Sequence, residues 1–247
     1  MSNELERQKM DSRCKIFGLT VSDVEQKLSA LGEDGMLVDR PHIVPNPQPI
    51  KYYRKDGPLF DRFYYTMASL ALKNVKNVLE IGSGLAQSTI VFSRLFPTAK
   101  VYTIDVPVDD PNWTKNSRSN LGSPEEKLYH HNINRGKNII PVAKNSFFLP
   151  SVVLPKEFEL ILVDGIHALP QVAGDIMYGY GRISDGGFLF MHDYTPTPQH
   201  TLDVGTVVHW IMKRIPEKVF LFPMVVPPDK PEKKMALVVK NRFFKEK

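Results

Sequence analysis

Two aspartates and two histidines stand close together in FELILVDGIHALPQVAGDI and the GGFLFMHDY that follows it. Asp164 and His192–Asp193 close short apolar runs that read as buried strands, with His167 three residues beyond Asp164. Open α/β sheets gather their sites at the carboxyl ends of such strands, so Asp164, His167, His192 and Asp193 are expected to converge. An unperturbed histidine titrates at about pH 6.5, so His167, and after it His192, can act as a general base. Asp193 or Asp164 would orient that imidazole and stabilise its cation. The same two carboxylates could instead hold a hard divalent cation that lowers the pKa of a bound hydroxyl.

A second constellation lies upstream. VLEIGSGLAQST (residues 78–89) sets a tight glycine turn between a strand and a helix, which lets backbone approach a ligand and aims a helix N-terminus at it. A dinucleotide site wants glycine at the third position of G-x-G-x-x-G, and counting from Gly82 that position is Gln87. A purely structural turn would account for the glycines but not for the acidic Glu80. Asp105 ends the next strand, where an acidic residue accepts hydrogen bonds from ribose hydroxyls in nucleotide-binding α/β folds. That feature suits a nicotinamide dinucleotide as well as other nucleosides.

The E-x-G-x-G-x-A of Glu80, Gly82, Gly84 and Ala86 resembles the first signature of class I S-adenosylmethionine-dependent methyltransferases, with Ala86 in place of the commoner third glycine. The D-G-x-H that begins at Asp164, the helix carboxylate Asp175, and then G-G and H-D resemble a small-molecule O-methyltransferase group called methyltransferase family 24, over residues 75–215. The resemblance implies S-adenosylmethionine as the cofactor, held by Glu80, Gly82, Ser83, Gly84, Gln87, Ser88, Asp105, Asn145, Ser146 and Asp164, with Lys144 also beside the adenine. It implies methyl transfer to a hydroxyl of a small molecule, a sugar or natural product. The protein must then align and deprotonate the acceptor, with His167, His192 and Asp193 as its catalytic groups. Mg²⁺ on Asp164 and Asp193 is the device of catechol-type relatives; they carry asparagine after the second aspartate, where this chain has Tyr194. Three other readings stay open: an RNA or protein methyltransferase, a nicotinamide-dependent oxidoreductase, and a donor-binding protein without catalysis.

The elements that would position these residues follow from periodicity. From residue 75 onward, β-branched apolar runs alternate with helical spacing, the mark of a parallel sheet wrapped by helices. Strands are expected at 75–81, 100–105, 138–143, 158–164 and 187–193 as the sheet's centre. Helices are expected at 87–96, 124–134, 169–183 and 203–215, the second opened by Ser123, Pro124, Glu125 and Glu126. Residues 218–226 and 234–240, joined by PPDKPEK, read as an antiparallel hairpin. The expected fold is α/β: a Rossmann-like, doubly wound, mostly parallel seven-stranded sheet with a C-terminal antiparallel hairpin and an N-terminal helical cap. Residues 1–74 form the cap, with VSDVEQKLSALGED and LFDRFYYTMASLALKN as helices around the proline-rich HIVPNPQP, and 75–247 form the methyltransferase domain.

Tyr52, Tyr53 and Arg54 precede the last cap helix, placed either to close over a ligand or to edge a solvated loop. Asp109, Asp110, Asn112 and Trp113 lie in an insertion after Asp105, with Trp113 read as an anchor of the loop in the core ahead of a stacking surface for an acceptor ring. Phe147 and Phe148 also read as core.

Composition limits the alternatives. Of 247 residues, 42% are hydrophobic and 24% charged, ordinary for a folded globular chain. Cys14 is the single cysteine, which excludes an intramolecular disulfide and a thiolate metal cluster and fits a reducing compartment. The opening MSNELERQKMDSR has no apolar core of a secretory signal, and no run approaches the roughly 20 apolar residues of a membrane span. A cytoplasmic protein without a membrane partner is expected. The net charge of +5 suits an anionic partner, but the basic residues are dispersed and KNRFFKEK is only a small cluster. A solvated surface and a small-molecule acceptor are therefore expected, not a nucleic-acid footprint. The sequence leaves the oligomeric state open, a homo-oligomer included.

Overall fold

The structure, a computed structural model, describes residues 2–31, 60–107, 110, 124–195, 204–223 and 234–240. In chain order the elements are α1 (Ser2–Ile16), α2 (Val21–Ser29), α3 (Phe60–Ala71), β1 (Asn77–Ile81), α4 (Gln87–Leu95), β2 (Lys100–Asp105), α5 (Pro124–Arg135) and β3 (Ile139–Ala143). A 3-10 turn (Ser146–Ser151), β4 (Phe158–Val163), α6 (Gln171–Arg182), β5 (Ile183–Tyr194), α7 (Val204–Met212), β6 (Val219–Pro223) and β7 (Lys234–Val239) complete them.

The strands form one seven-stranded sheet in the order β3-β2-β1-β4-β5-β7-β6. The first five run parallel, and β7 pairs antiparallel with both β5 and β6. Period-two alternation explains how the sheet is covered on both sides. Val78, Val101, Leu160, Leu162, Phe188, Phe190 and Leu237 turn to one face, where α1–α4 bring Met10, Val24, Phe63, Tyr64, Met67 and Phe92. Leu79, Ile81, Ile104, Ile161, Val163, Leu189, Met191 and Val238 turn to the other, against Val172 and Ile176 of α6 and Val207, Val208 and Ile211 of α7. The doubly wound, mostly parallel α/β sheet with its antiparallel C-terminal strands is the architecture the periodicity implies.

The differences from the expected elements have local causes. Residues 138–143 were expected at the centre of the sheet, but β3 is an edge strand and only half-buried. The helix expected from residue 169 begins after Pro170, which lacks the N–H of a helix interior. β5 starts four residues early, at Ile183, and its pairing with β4 shifts register between Phe158 and Leu160. The charged N-terminal stretch, which carried no helix expectation, folds as α1 with Met10 and Cys14 buried one turn apart. α2 is closed by a capping box: the Thr20 hydroxyl accepts from Asp23 N–H at 3.1 Å and the Asp23 carboxylate accepts from Thr20 N–H at 2.8 Å.

Tyr52, Tyr53, Arg54, Asp109, Asn112 and Trp113 lie outside the described residues. Among the described residues no helix is long and apolar enough to cross a membrane.

Candidate active site

The glycine turn is shaped first by the protein itself. Gly82 has φ +96°, its N–H donates to Ile104 O at 2.8 Å, and a Cβ there would sit 2.1 Å from the Asp164 carbonyl oxygen. The close approach that glycine permits at this position is therefore to the end of β4, where the sequence suggested a ligand. It also fuses the turn with the second constellation, since Asp164 N–H continues the pairing by donating to Ile81 O at 2.8 Å.

Glu80 sits beneath the turn, fully buried. Its carboxylate accepts from the hydroxyls of Ser88, Thr89 and Thr103, and Thr103 in turn shares a hydrogen with Ser83 at 2.6 Å. Glu80 and Ser88 are thus committed to each other, and Glu80 organises the loop from below. Burial pushes its carboxyl up to about 7, against the opposing pull of the three hydroxyls. Below its ordinary value of 4.5 the group is protonated in folded and unfolded chains alike. Between there and about 7 only the unfolded chain ionises, so rising pH costs stability, in total roughly 3 kcal/mol. Glu80→Gln cannot titrate; urea unfolding at several pH values should show this loss in the wild type and not in the variant.

Asp105, at the end of β2, accepts from Gly84 N–H at 3.0 Å on one oxygen and from Val106 N–H at 2.9 Å on the other. These bonds fix the orientation of the carboxylate. Gln87 opens α4 beside the turn. Ala86 adopts φ +57°, a left-handed conformation that glycine takes more readily.

The loop after β3 is tied to Asp105 through Lys144 N–H, which donates to Asp105 O at 2.7 Å. Asn145 Oδ1 caps the 3-10 turn by accepting from Phe147 N–H at 2.9 Å. The Gln171 amide bridges Ser146 Oγ and the buried Asp175 carboxylate, 3.0 Å from the latter. Asn145 and Ser146 thus first hold their own loop. Phe147 and Phe148, expected in the core, are 62% and 53% exposed, because the 3-10 turn follows an edge strand and turns only Leu149 inward.

At the ends of β4 and β5 the four expected residues do converge. An extended strand would send His192 and Asp193 to opposite faces; Asp193 has φ +57°, and the β5–β7 register shifts between Met191 and Tyr194. His192 Nδ1 lies 3.2 Å from Asp164 Oδ1 and 3.3 Å from Asp193 Oδ1. His167 lies between the same carboxylates, Nε2 3.5 Å from Asp164 and Nδ1 3.5 Å from Asp193. Burial works against a charged His192, yet Asp164, Asp193 and Asp61 outweigh it and hold its pKa well above the ordinary imidazole value. Asp164 is correspondingly held below the usual carboxylate range: burial works to raise it, and the His192 cation prevails.

This donor set does not fit Mg²⁺. A magnesium site needs a near-octahedral set of oxygens. Here both carboxylates face imidazole nitrogens at 3.2–3.5 Å, and among the described residues no group of three or more His, Cys, Asp or Glu could hold a metal ion.

Three polar residues with no signal in the sequence complete the arrangement. Asp61 of α3 pairs with His192 Nε2 at 3.3 Å, across 131 positions of chain. Asn132 of α5, buried, donates to Leu85 O at 2.8 Å and pins the glycine turn from outside. Thr103 reads in sequence only as a strand residue, although a buried hydroxyl facing a buried carboxylate is the pairing that Glu80 requires.

No protein-family model matches the chain, and no curated protein matches it by sequence. Solved structures do match in shape. N-methyltransferase NodS from Bradyrhizobium japonicum, in complex with S-adenosyl-L-homocysteine, superposes with a TM-score of 0.54 at 16% identity, over 89% of this chain and 97% of that one. The O-methyltransferase TomG from Streptomyces achromogenes, involved in tomaymycin synthesis and in complex with S-adenosylmethionine, gives 0.52 at 14% identity over 72% and 78%. Precorrin-6y C5,15-methyltransferase from Geobacter metallireducens gives 0.50 at 13% over 70% and 85%. The chain has the Rossmann-like methyltransferase fold. Its β7, inserted antiparallel between β5 and β6, also departs from the 3-2-1-4-5-6 order of dinucleotide-binding sheets, which removes the architectural support for the nicotinamide reading.

Proposed function

We propose that the protein is an S-adenosylmethionine-dependent methyltransferase acting on a hydroxyl of a small molecule, with His167 as general base and no metal. The observation that carries this reading is the junction at Gly82. Gly82 and Ile81 meet the backbone of Asp164, so a nucleoside site at the glycine turn and Asp105 would adjoin a proton-accepting site at Asp164, His167, His192 and Asp193. Asp105 would accept the ribose hydroxyls, and the turn would face the methionine part of the donor.

His167 is the better base of the two histidines. Its side chain is 39% exposed against 15% for His192, so an acceptor reaches it, while His192 already carries its proton. His167 lies between two carboxylates, Nε2 3.5 Å from Asp164 and Nδ1 3.5 Å from Asp193, which would stabilise the imidazolium formed when it takes a proton. A bound donor would supply an electrophilic methyl carbon for in-line attack by the acceptor oxygen, its C–S bond breaking to leave the neutral thioether, while the His167 imidazole takes the acceptor O–H proton. Asp193, beside Nδ1, balances the imidazolium that forms.

Asp105→Ala removes a charged acceptor from the ribose, and such bonds contribute about 1.5–3 kcal/mol. Calorimetry should therefore show S-adenosylhomocysteine affinity falling ~10- to 100-fold, and unchanged affinity would contradict the donor site. Turnover in excess chelator should equal turnover without it.

A further inference from the structure

Gln171 and Asp175 stand one turn apart at the start of α6, on one face of the helix. Asp175 is only 1% exposed, so its carboxyl must find hydrogen bonds inside the protein. Its Oδ1 accepts from Gln171 Nε2 at 3.0 Å. Its Oδ2 has no hydrogen-bond partner among the described residues and packs toward Gly165, where a Cβ would come within 3.2 Å of it. Burial raises the Asp175 carboxyl and the neighbouring Ser146 and Gln171 pull it down, but among the described residues only Gln171 meets it in hydrogen-bond geometry. An oxygen that accepts makes the amide turn its NH2 inward, not its carbonyl, and that NH2 has two hydrogens. One goes to Asp175, and the other points to Ser146 Oγ on the loop after β3. The Ser146 hydroxyl is thereby an acceptor toward Gln171, and its own hydrogen stays available to donate elsewhere.

Ser146 is half-buried, and its loop is the one that Lys144 N–H ties to Asp105 O at 2.7 Å, so the hydroxyl stands near the carboxylate proposed for the ribose. We infer that Asp175 and Gln171 are positioning residues for the base of the nucleoside: Asp175 sets the direction of the Gln171 amide, and the amide presents Ser146 as a hydrogen-bond donor to a ring nitrogen of adenine. The three adenine ring nitrogens outside the glycosidic bond each offer an in-plane lone pair and no hydrogen, which suits a hydroxyl fixed in that sense. The inference rests on the proposed S-adenosylmethionine site and gives a role there to a buried carboxylate that itself touches no ligand. In Asp175→Asn the constraint is lost, because an asparagine NH2 can face the Gln171 carbonyl. That carbonyl then accepts the Ser146 hydrogen and withdraws it from the base.

The test is calorimetric titration of the full chain with S-adenosylhomocysteine, arranged as a double-mutant cycle. Ser146→Ala and Asp175→Asn should each weaken binding ~3- to 10-fold, the range of one neutral hydrogen bond, and the double variant should be no weaker than Ser146→Ala alone. The 1-deaza, 3-deaza and 7-deaza analogues of S-adenosylhomocysteine give a readout that a merely loosened loop would not move selectively. One of the three should bind wild type and Asp175→Asn alike, because it lacks the nitrogen that Ser146 addresses, while the other two keep the difference. Unchanged affinity in Asp175→Asn, losses that add in the double variant, or an equal difference for all three analogues would overturn the inference. If Asp175→Asn does not fold, Gln171→Met enters the same cycle with the same expected pattern. A wild-type chain that binds no S-adenosylhomocysteine removes the methyltransferase reading and this inference with it, whereas wild-type binding with additive losses removes the inference alone.

Discussion

His167→Ala is expected to lower methyl transfer by ~10²- to 10⁴-fold while S-adenosylhomocysteine affinity stays within about two-fold, the range of a lost general base. The separation follows from the geometry. His167 pairs with Asp164 and Asp193 at 3.5 Å, away from the glycine turn's hydrogen bonds and from Asp105. Losing it removes the proton acceptor and leaves Asp105, Gly84 and the Glu80 network in place. His192→Gln should behave differently, because it removes a cation bounded by three carboxylates and so costs stability as well as turnover. Single-turnover rates with labelled donor, set beside donor affinity for each variant, distinguish the two. An active His167→Ala would return the base assignment to another group.

The second large effect is structural. Gly82→Ala places a methyl 2.1 Å from the Asp164 carbonyl oxygen and 2.5 Å from its carbon, on backbone just past the end of β4. Neither atom can swing away as a side chain would, and φ +96° adds strain of its own. The expected cost is on the order of 4 kcal/mol or more, enough to unfold much of a marginally stable domain. Gly174→Ala is the control: it lies inside α6 with nothing within 4 Å of a Cβ, and alanine there should stabilise by about 0.5–1 kcal/mol. Urea midpoints of the two variants should move in opposite directions. A folded, wild-type-like Gly82→Ala would mean that the turn and the end of β4 are farther apart than described.

The sheet was legible because its determinants are local and repetitive: strands buried on both faces write continuous apolar runs, and helices between them write a different period. Asp164, His167, His192 and Asp193 were legible as a group because adjacent parallel strands end together, a property of topology that four residue positions suffice to invoke. The side on which a strand lies is less visible in sequence, so residues 138–143 read as central while β3 lies at the edge, and Phe147 and Phe148 read as core while they face solvent. The state of His192 was hidden for a further reason. As a lone histidine it reads as a base; the carboxylate that changes its meaning sits on α3, where Asp61 resembles any acidic residue in a helix's first turn. The metal expectation has the same origin, since two aspartates read alike in sequence whether they await a cation from solution or face imidazoles of the chain.

The account depends most on a nucleoside sulfonium site at the glycine turn, and calorimetric titration of the wild-type chain with S-adenosylhomocysteine tests it directly. The predicted result is saturable one-site heat, together with a stabilisation of about 2.7 kcal/mol at a hundred-fold excess over Kd. Absence of saturable heat and of any rise in Tm, under conditions where the chain is folded, would contradict it.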